Sequence, residues 1–388
     1  MGNVPPGTRT SEGRWDWIAR LFETGPREAK LLAKFHVPED IEVRVQVADM
    51  TWTTEELLKR LGMSDANAAQ TADVLMYADL RGVDTHGVSN MLRAYVRQLV
   101  DGDMNPNPNW KITRENKATC VIDGDGGHGM IVSPVGMKEA IDRASQYGIG
   151  AVTVTNCRHL GPCSYYAQMA VEHDMLGLAT TTGGLSMVPT FGTMPLLGLN
   201  ALAFAAPTEK NPPFVYDASP SVVAGNKISL AKRLGQTVLP GWITDEHGNP
   251  IMEETEIPEK YMMLPVGSTR EGGSQKGYSL SVISEILTTG LTATGAGPRR
   301  RAGSVHHFMA WDISGFSDPA DFKADLDQYL TDLLDCPTVS GEGRVLYSGY
   351  PEAQTVEERT EKGIPYHPEV IDWFKQATTE HGVPWRLT

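Results

Sequence analysis

The sequence Arg81-Gly82-Val83-Asp84-Thr85-His86-Gly87-Val88 is the most informative stretch of the chain. It ends a helical pattern whose apolar residues recur on one face. Gly82 and Gly87 bracket His86, as expected where a helix ends and backbone passes close to a ligand. A histidine beside a hydroxyl residue, with Arg93 following, combines a proton carrier with an anion anchor. The stretch therefore indicates an enzyme that acts on a small acid, although most of the 10 histidines in such a chain have structural roles.

A second histidine stands at the end of another element. The apolar run from Ile149 to Val154 predicts a buried strand, which leads into Thr155-Asn156-Cys157-Arg158-His159-Leu160-Gly161. Histidines at element ends can exchange protons near neutral pH. We therefore predict that His86 and His159 are the acid/base residues.

Composition limits the class of protein. The chain has 388 residues, enough for two or three lobes, and its net charge of -14 opposes binding to nucleic acid. A solvated loop is expected at the basic run 299–301, with a phosphate clamp as the alternative. The sequence has no window of the ~18 apolar residues that a membrane span needs. We expect a cytoplasmic protein that does not bind a membrane.

Cysteine usage fits a reducing compartment. The chain has 4 cysteines and no paired framework, so free thiols are expected. Cys157, His159 and Cys163 resemble three zinc ligands, but a second Cys/His cluster is missing, and we predict no metal site.

Two glycine-containing segments suggest nucleotide binding. Residues 124–129 contain a literal G-x-G-x-x-G, which we interpret as a tight turn because the next strand ends in Asn156, where a ribose-binding acid is expected. Lys276 lies between glycines at the start of a predicted helix, which suits a cofactor phosphate or carboxylate. That helix is expected to bury an apolar stripe, with Glu285 on the opposite face, either solvated or on a second packing surface. The stripe consists of Leu280, Ile283, Leu287 and Leu291.

Several motifs in order resemble the type 2 malate/L-lactate dehydrogenase family. After residues 81–88 come Asn156-x-x-His159-x-Gly161 and Asp217-x-Ser219, then Pro240-Gly241-Trp242 with Asp245-x-x-Gly248, and finally Lys276-Gly277-Tyr278 with Glu285. The resemblance runs from about Val45 to Val370. It implies hydride transfer between NAD or NADP and a small 2-hydroxy acid or 2-keto acid, in a homodimer or higher homo-oligomer.

The resemblance also implies a fold and a site. The expected class is α/β (α+β): a non-Rossmann, mixed-sheet NAD(P)-binding domain and a helical domain formed by the N- and C-terminal segments. Its predicted parts are an extension (1–43), a helical domain carrying His86 (44–115), the cofactor-binding domain (116–330) and a C-terminal segment that returns to the helical domain (331–388). Substrate contacts are predicted at Thr85, Asn90 and Arg93. Cofactor contacts are predicted at Thr182, Asn200, Asp217, Ser219, Lys276, Gly341 and Glu342.

The sequence departs from the family pattern around the ligands. Asn90 replaces the arginine that grips the substrate carboxylate, so the substrate is expected to be less anionic, larger or differently oriented. The segments 181–183, 198–201 and 340–342 also differ from the family. Three alternatives to the 2-hydroxy acid dehydrogenase therefore stay open: a reductase of a cyclic imine or atypical substrate, a histidine enzyme repurposed for elimination, isomerisation or hydrolysis, and a scaffold.

Overall fold

A mixed sheet of seven strands forms the centre of the computed structural model, which describes residues 36–301, 303–339 and 343–387. The strand order is β2-β3-β4-β10-β5-β8-β9, and only the β3–β4 pair is parallel. The α/β prediction with a mixed sheet is thus confirmed. The strands of this sheet are β2 (Lys111–Asn116), β3 (Thr119–Gly127), β4 (Ile149–Cys157), β5 (Met175–Thr181), β8 (Leu202–Ala206), β9 (Phe214–Ala218) and β10 (Ser304–Asp312).

Two helices pack on this sheet at unusually short range. Helix α4 (Gly129–Tyr147) joins the parallel strands, and α5 (Cys163–Val171) connects β4 to β5. A Cβ at Gly150 would overlap the carbonyl of Ala140, and one at Gly177 would overlap the carbonyl of Ala167. Glycine is needed at both positions because the helix backbone lies directly on the strand. This close packing fixes the segment between β4 and α5, which carries His159.

A helical unit assembles from both ends of the described chain. Strand β1 (Val43–Val45) pairs with β11 (Ile364–Tyr366), so the first described strand meets the last one. Residues from these strands and from both sets of helices share one hydrophobic core with the sheet. The proposed domain boundaries therefore stay a prediction. The helices of this unit are α1 (Val47–Arg60), α2 (Asp65–Leu80), α3 (Arg93–Val100), α9 (Tyr350–Lys362) and α10 (Pro368–His381).

A smaller lobe between β5 and β10 has its own apolar cluster, which includes Ile228, Trp242 and Met263. The elements of this lobe are β6 (Leu185–Met187), β7 (Leu197–Gly198), α6 (Gly225–Arg233) and α7 (Ser274–Glu285). Helix α8 (Pro319–Leu334) follows β10 and packs in a separate small cluster with Tyr347. One-turn π-helices span Val88–Leu92 and Ile286–Gly290, and short 3-10 turns span Gly297–Arg299 and Ile313–Gly315.

The predicted burial of α7 is wrong. Leu280, Ile283 and Leu291 are exposed, whereas Ser281 and Ser284 are buried. The helix places its small polar residues inward because they bond to the backbone: Ser281 Oγ donates to Gly198 O and Ser284 Oγ to Asn200 O. Hydrophobic periodicity located the helix correctly but assigned the wrong face to the core.

The glycine-rich segment 124–129 is not a nucleotide-binding turn. Most of it lies in strand β3, where Asp125 and Gly126 have φ values of 54° and 66° and the pairing with β4 shifts register. Gly129 begins α4, and a Cβ there would lie 2.5 Å from the carbonyl oxygens of Arg158 and His159. The glycines permit a bulge and close packing, which agrees with the preference for a turn over a dinucleotide motif.

Candidate active site

A buried network holds the loop that carries His86. Asp79, on the last turn of α2, accepts hydrogen bonds at Oδ2 from the Val88 N–H at 3.1 Å and from the Tyr366 hydroxyl at 3.0 Å. A Cβ at Gly87 would overlap the Asp79 carboxylate, so only glycine fits there. Burial, and then the charge of Asp84, raise the pKa of Asp79 to about 7.

The other side of this loop is tied to α9. Arg359 Nη1 donates to Asp84 Oδ1 at 2.6 Å and also to the backbone carbonyl of Asp79. Asn90 Nδ2 donates to the Asp84 carbonyl at 2.5 Å. The Asn90 amide therefore bonds to the protein backbone and braces the loop.

His159 is held in one tautomer. Its Nδ1 accepts from the Gly161 N–H at 3.2 Å and lies 2.6 Å from the Tyr95 hydroxyl. Because a backbone N–H can only donate, the neutral ring carries its proton on Nε2. No described residue bonds to that nitrogen. His159 can therefore offer an N–H donor to a ligand.

The two predicted histidines meet across the space between the helical unit and the sheet. The rings of His86 and His159 are stacked, with centroids 5.7 Å apart and planes inclined by 17°. His86 Nδ1 lies 2.9 Å from Thr85 Oγ1. Burial lowers the pKa of His86 to about 4, and burial followed by the charge of His86 lowers the pKa of His159 well below its usual value. Burial therefore favours the neutral form of both rings.

Another histidine braces the wall behind this pair. His306 Nε2 donates to the Arg158 carbonyl at 2.9 Å, which leaves Nδ1 to accept from the Thr181 hydroxyl at 2.8 Å. His306 is fully buried on β10. It thus ties the segment before His159 to the end of β5, where Thr182 begins the next loop.

A cavity of about 450 Å³ opens beside the histidines. Its walls are mostly apolar with a few polar side chains, as is common for small-molecule sites. Its wall includes Gly183, Gly184 and Gly225, and a Cβ at Gly184 would project into open space. Other residues that line it are Tyr77, Arg81, Met91, Gln168, Leu199, Pro213, Asp217, Ser219, Asn226 and Glu352.

Several predicted site residues meet in this cavity. Thr85, His86, His159, Thr182, Asp217 and Ser219 all line it. The exposed carboxylate of Asp217 also accepts the Ser164 N–H at 2.7 Å, and so caps α5 from a neighbouring strand. These residues come from distant parts of the chain, and the cavity is where the fold brings them together.

Other predicted contacts lie elsewhere. Arg93 faces a shallow surface depression, where it pairs with Glu369 at 3.4 Å and stacks over Trp373. Asn200 is fully buried behind the cavity wall, and Lys276 is exposed on α7. Gly341 and Glu342 lie outside the described residues. Arg300 is not solvated as expected of the basic run, because it is largely covered and forms an ion pair with Glu285.

Some lining residues were missed by sequence reasoning. Helix α9 contributes Gly349, Glu352 and Ala353 to the cavity. A helix start was detectable there, because Pro351 and Glu352 stand in its first turn. Tyr95 lies on α3, shortly after the 81–88 stretch, but its bond to His159, 64 residues away, had no local signal.

Cys157 and Cys163 do not converge with His159. Their sulfurs face the carbonyls of Gly127 and Ala201 respectively. Within residues 36–301, 303–339 and 343–387, no three His, Cys, Asp or Glu side chains are arranged to hold a metal ion. None of the helices in the same part of the chain is long and apolar enough to cross a membrane.

Comparison with known proteins agrees with this geometry. A family model described as malate/L-lactate dehydrogenase matches residues 45–375. The malate dehydrogenase of Pyrococcus abyssi is 32% identical over 361 residues, covering 91% of this chain and 99% of that protein. The (2R)-3-sulfolactate dehydrogenase (NADP(+)) of Chromohalobacter salexigens is 32% identical, over 67% of this chain and 78% of that protein.

A solved structure gives the same result for the fold. The crystal structure of malate dehydrogenase from Entamoeba histolytica superimposes with a TM-score of 0.85 at 29% identity, covering 89% of this chain and all of that chain. The family predicted from the motifs is confirmed.

Proposed function

This chain belongs to the malate/L-lactate dehydrogenase family, and we propose that its central cavity is where it transfers a hydride between NAD or NADP and a small 2-hydroxy acid or 2-keto acid. The relatives are NAD(+)- or NADP(+)-dependent dehydrogenases, which favours redox chemistry over elimination, hydrolysis or a scaffold role. The observation that supports the proposal most is the stacked His86–His159 pair at the wall of the cavity.

The residues that line the cavity fit a dinucleotide. The wall at Gly183, Gly184 and Gly225 presents backbone without side chains, which leaves room for a ligand to approach closely. Asp217 and Ser219 place an acceptor and a hydroxyl group on the same wall. When bound, NAD or NADP supplies the hydride acceptor or donor.

The histidine pair would move the proton. In the oxidation direction the C–H bond of the substrate carbinol breaks with loss of hydride, its O–H proton passes to the histidine pair, and a C=O bond forms. In reduction the pair returns that proton to the oxygen. Neutral His159, oriented by Tyr95 and Gly161, donates a hydrogen bond from Nε2–H to the substrate oxygen. The proton itself is taken up, and in reduction returned, by Nε2 of His86, whose Nδ1 faces Thr85.

The direct test is nicotinamide binding followed by turnover. We expect the purified protein to bind NADH or NADPH saturably, and to oxidise one of them stoichiometrically when 2-keto acids are added. Fluorescence titration gives the dissociation constants, and the loss of reduced cofactor absorbance gives the rate. No binding of either nucleotide up to millimolar concentration would contradict the proposal.

A cyclic imine or another weakly anionic substrate is the second candidate. It is favoured by the placement of two residues, because Asn90 bonds to the Asp84 carbonyl and Arg93 lies outside the cavity. Among the described lining residues, Arg81 is the only arginine or lysine, and it stacks over Tyr77 beside Gln168. Faster reduction of cyclic imines than of 2-keto acids would select this candidate.

We also propose that the chain forms a homodimer or higher homo-oligomer through the outer face of α7 and the turn after it. Leu280, Ile283, Ile286 and Leu291 are 40%, 46%, 57% and 63% exposed there. Large aliphatic side chains in a row on one surface mark an interface more often than a free surface. A second copy of the same chain is the partner that this family implies.

Charge on this face should disrupt the assembly. We expect Ile283→Glu with Ile286→Glu to shift the molecular mass in light scattering toward the monomer, because two carboxylates would be buried without partners. Val100→Glu is the matched control, since Val100 is 62% exposed on α3, a different element. A wild-type protein that is monomeric at high concentration would refute this assignment.

A cytoplasmic location completes the proposal. Among the described residues the four cysteines are free, and three of them are buried. Free thiols are typical of proteins kept in a reducing compartment. Titration with a thiol reagent under denaturing, non-reducing conditions should find four reactive groups per chain.

A further inference from the structure

Arg300, Glu285 and Asn200 form a buried polar cluster directly behind the cavity wall. Arg300 Nε donates to Glu285 Oε1 at 2.7 Å, and Nη2 donates to Glu285 Oε2, so the pair is bidentate. Their side chains are 15% and 12% exposed. Burial raises the pKa of Glu285, but hydrogen bonds from Arg300 and the Gly297 N–H outweigh it and lower the pKa overall. Glu285 is therefore a carboxylate, and the pair is ionic.

The same cluster fixes the backbone of Gly183 on both sides. Arg300 Nη1 donates to the Gly183 carbonyl, and the Gly183 N–H donates to Asn200 Oδ1 at 2.8 Å. Arg300 Nη2 also reaches Asn200 Oδ1 at 3.3 Å. Both polar backbone groups of one glycine are thus held by the ion pair and its neighbour. Gly183 itself lines the cavity.

Asn200 has no donor left for a ligand. Its Nδ2 donates to the Ser281 carbonyl and to Glu285 Oε2, each at 3.0 Å, and the residue is 1% exposed. A Cβ at Gly198 would overlap Asn200 Oδ1, so the neighbouring backbone also packs directly against this amide. The asparagine predicted to contact the cofactor is instead part of the wall's support.

We propose that Arg300, Glu285 and Asn200 are positioning residues that shape the nicotinamide-dinucleotide site by holding the 182–184 turn. This assignment rests on the proposed function. None of these three residues lines the cavity. Glycines 183 and 184 would otherwise be flexible, and the cluster holds their backbone in one conformation. A ligand then binds a preformed wall, and the entropy cost of ordering this turn does not reduce its affinity.

The test is Arg300→Lys, which keeps the charge but not the geometry. One ammonium group can pair with Glu285 but cannot also reach the Gly183 carbonyl and Asn200. We expect the dissociation constant of whichever nucleotide the wild-type protein binds to rise about tenfold, while kcat at saturating nucleotide stays within about threefold. Glu285→Gln, which is isosteric, should weaken binding in the same direction, and combining both changes should add little because the residues act as a unit.

Two controls separate positioning from general loss of stability. Arg299→Lys alters an exposed neighbour and should leave binding unchanged. Arg143→Lys weakens another ion-pair cluster, in which a buried arginine pairs with Glu115 and Glu139 and whose residues do not line the cavity. It should lower the melting temperature without changing the dissociation constant. Equal binding by Arg300→Lys and these controls, or a fall in kcat alone, would overturn the assignment. Absence of nucleotide binding by the wild-type protein would instead refute the proposed function, and the assignment with it.

Discussion

His159→Asn and His86→Asn are each expected to lower kcat by about 10²- to 10⁴-fold, the usual contribution of a general acid or base. Asparagine was chosen because its side chain can take the place of Nδ1. It can keep the contacts with Gly161 and Tyr95 at position 159, and with Thr85 at position 86, while Nε2 is removed. The loss would therefore report the proton transfer rather than a collapsed loop.

The measurement is steady-state reduction of the best 2-keto substrate, together with nucleotide titration. The nucleotide dissociation constant should stay within about threefold, because neither histidine is assigned to hold the cofactor. Tyr95→Phe should lower kcat by about tenfold, since it removes one hydrogen bond that orients His159. His173→Asn, at an exposed histidine, is the control. Full turnover by either asparagine variant would exclude that histidine from the proton transfer.

Local signals in the sequence were sufficient to single out the two histidines that meet at the cavity. Both histidines follow elements with clear periodicity, and glycines stand beside them where the backbone turns. Gly87 shows why a local signal can locate such a residue. Its backbone lies so close to Asp79 that no side chain fits, and the glycine in the sequence therefore indicates close packing at this position. Where the packing allows only one residue type, that constraint can be inferred from the sequence.

The supporting contacts could not be predicted in the same way. Arg300 bonds to Gly183, 117 positions away, and Arg359 bonds to Asp84, 275 positions away. Nothing in the residues flanking either arginine distinguishes it from a solvated one. Arg93 illustrates the opposite error, because its charge and proximity to His86 suggested a substrate anchor, yet the helix turns it toward Glu369.

The prediction that α7 buries its apolar stripe was wrong for a third reason. Periodicity identifies an apolar stripe but not what covers it, and in the single chain that stripe faces solvent while serines face the core. The serine hydroxyls bond to carbonyls at 198 and 200, which offsets the cost of burying them. An oligomer interface and a core stripe have the same pattern in sequence, so only the fold separates them.

Acid should destabilise the protein well before its surface carboxylates titrate. His128, His306 and His307 are buried, and burial is the largest cause that lowers their pKa values, to about 3, 4 and 4. In the unfolded chain a histidine has a pKa near 6.5. Between about pH 6.5 and 4 the unfolded state therefore takes up protons that the folded state cannot, and the free energy of unfolding falls as the pH falls.

Asp79 opposes this trend but does not cancel it. Its pKa in the folded protein is raised to about 7, so it favours the folded state as the pH falls from about 7 toward 4. Each group changes stability by up to about 1.4 kcal/mol per pH unit within its window. The buried His86 and His159 also have lowered pKa values. The pKa of Asp217 is raised like that of Asp79, so five histidines act against two carboxyls. We expect a net loss on the order of 5 kcal/mol between pH 7 and pH 5.

Urea unfolding at pH 7 and pH 5 measures this loss directly. His307→Asn should reduce it by about 2 kcal/mol, because it removes one titrating ring. The amide can still bond to Thr153, which lies 2.8 Å from His307 Nδ1. His307 does not line the cavity, so the effect should not depend on nucleotide. His247→Gln, at an exposed position, should leave the difference unchanged. If the free energy of unfolding were the same at both pH values, the three histidines could not be held neutral by burial, and the packing of β10 against His128 would have to admit water.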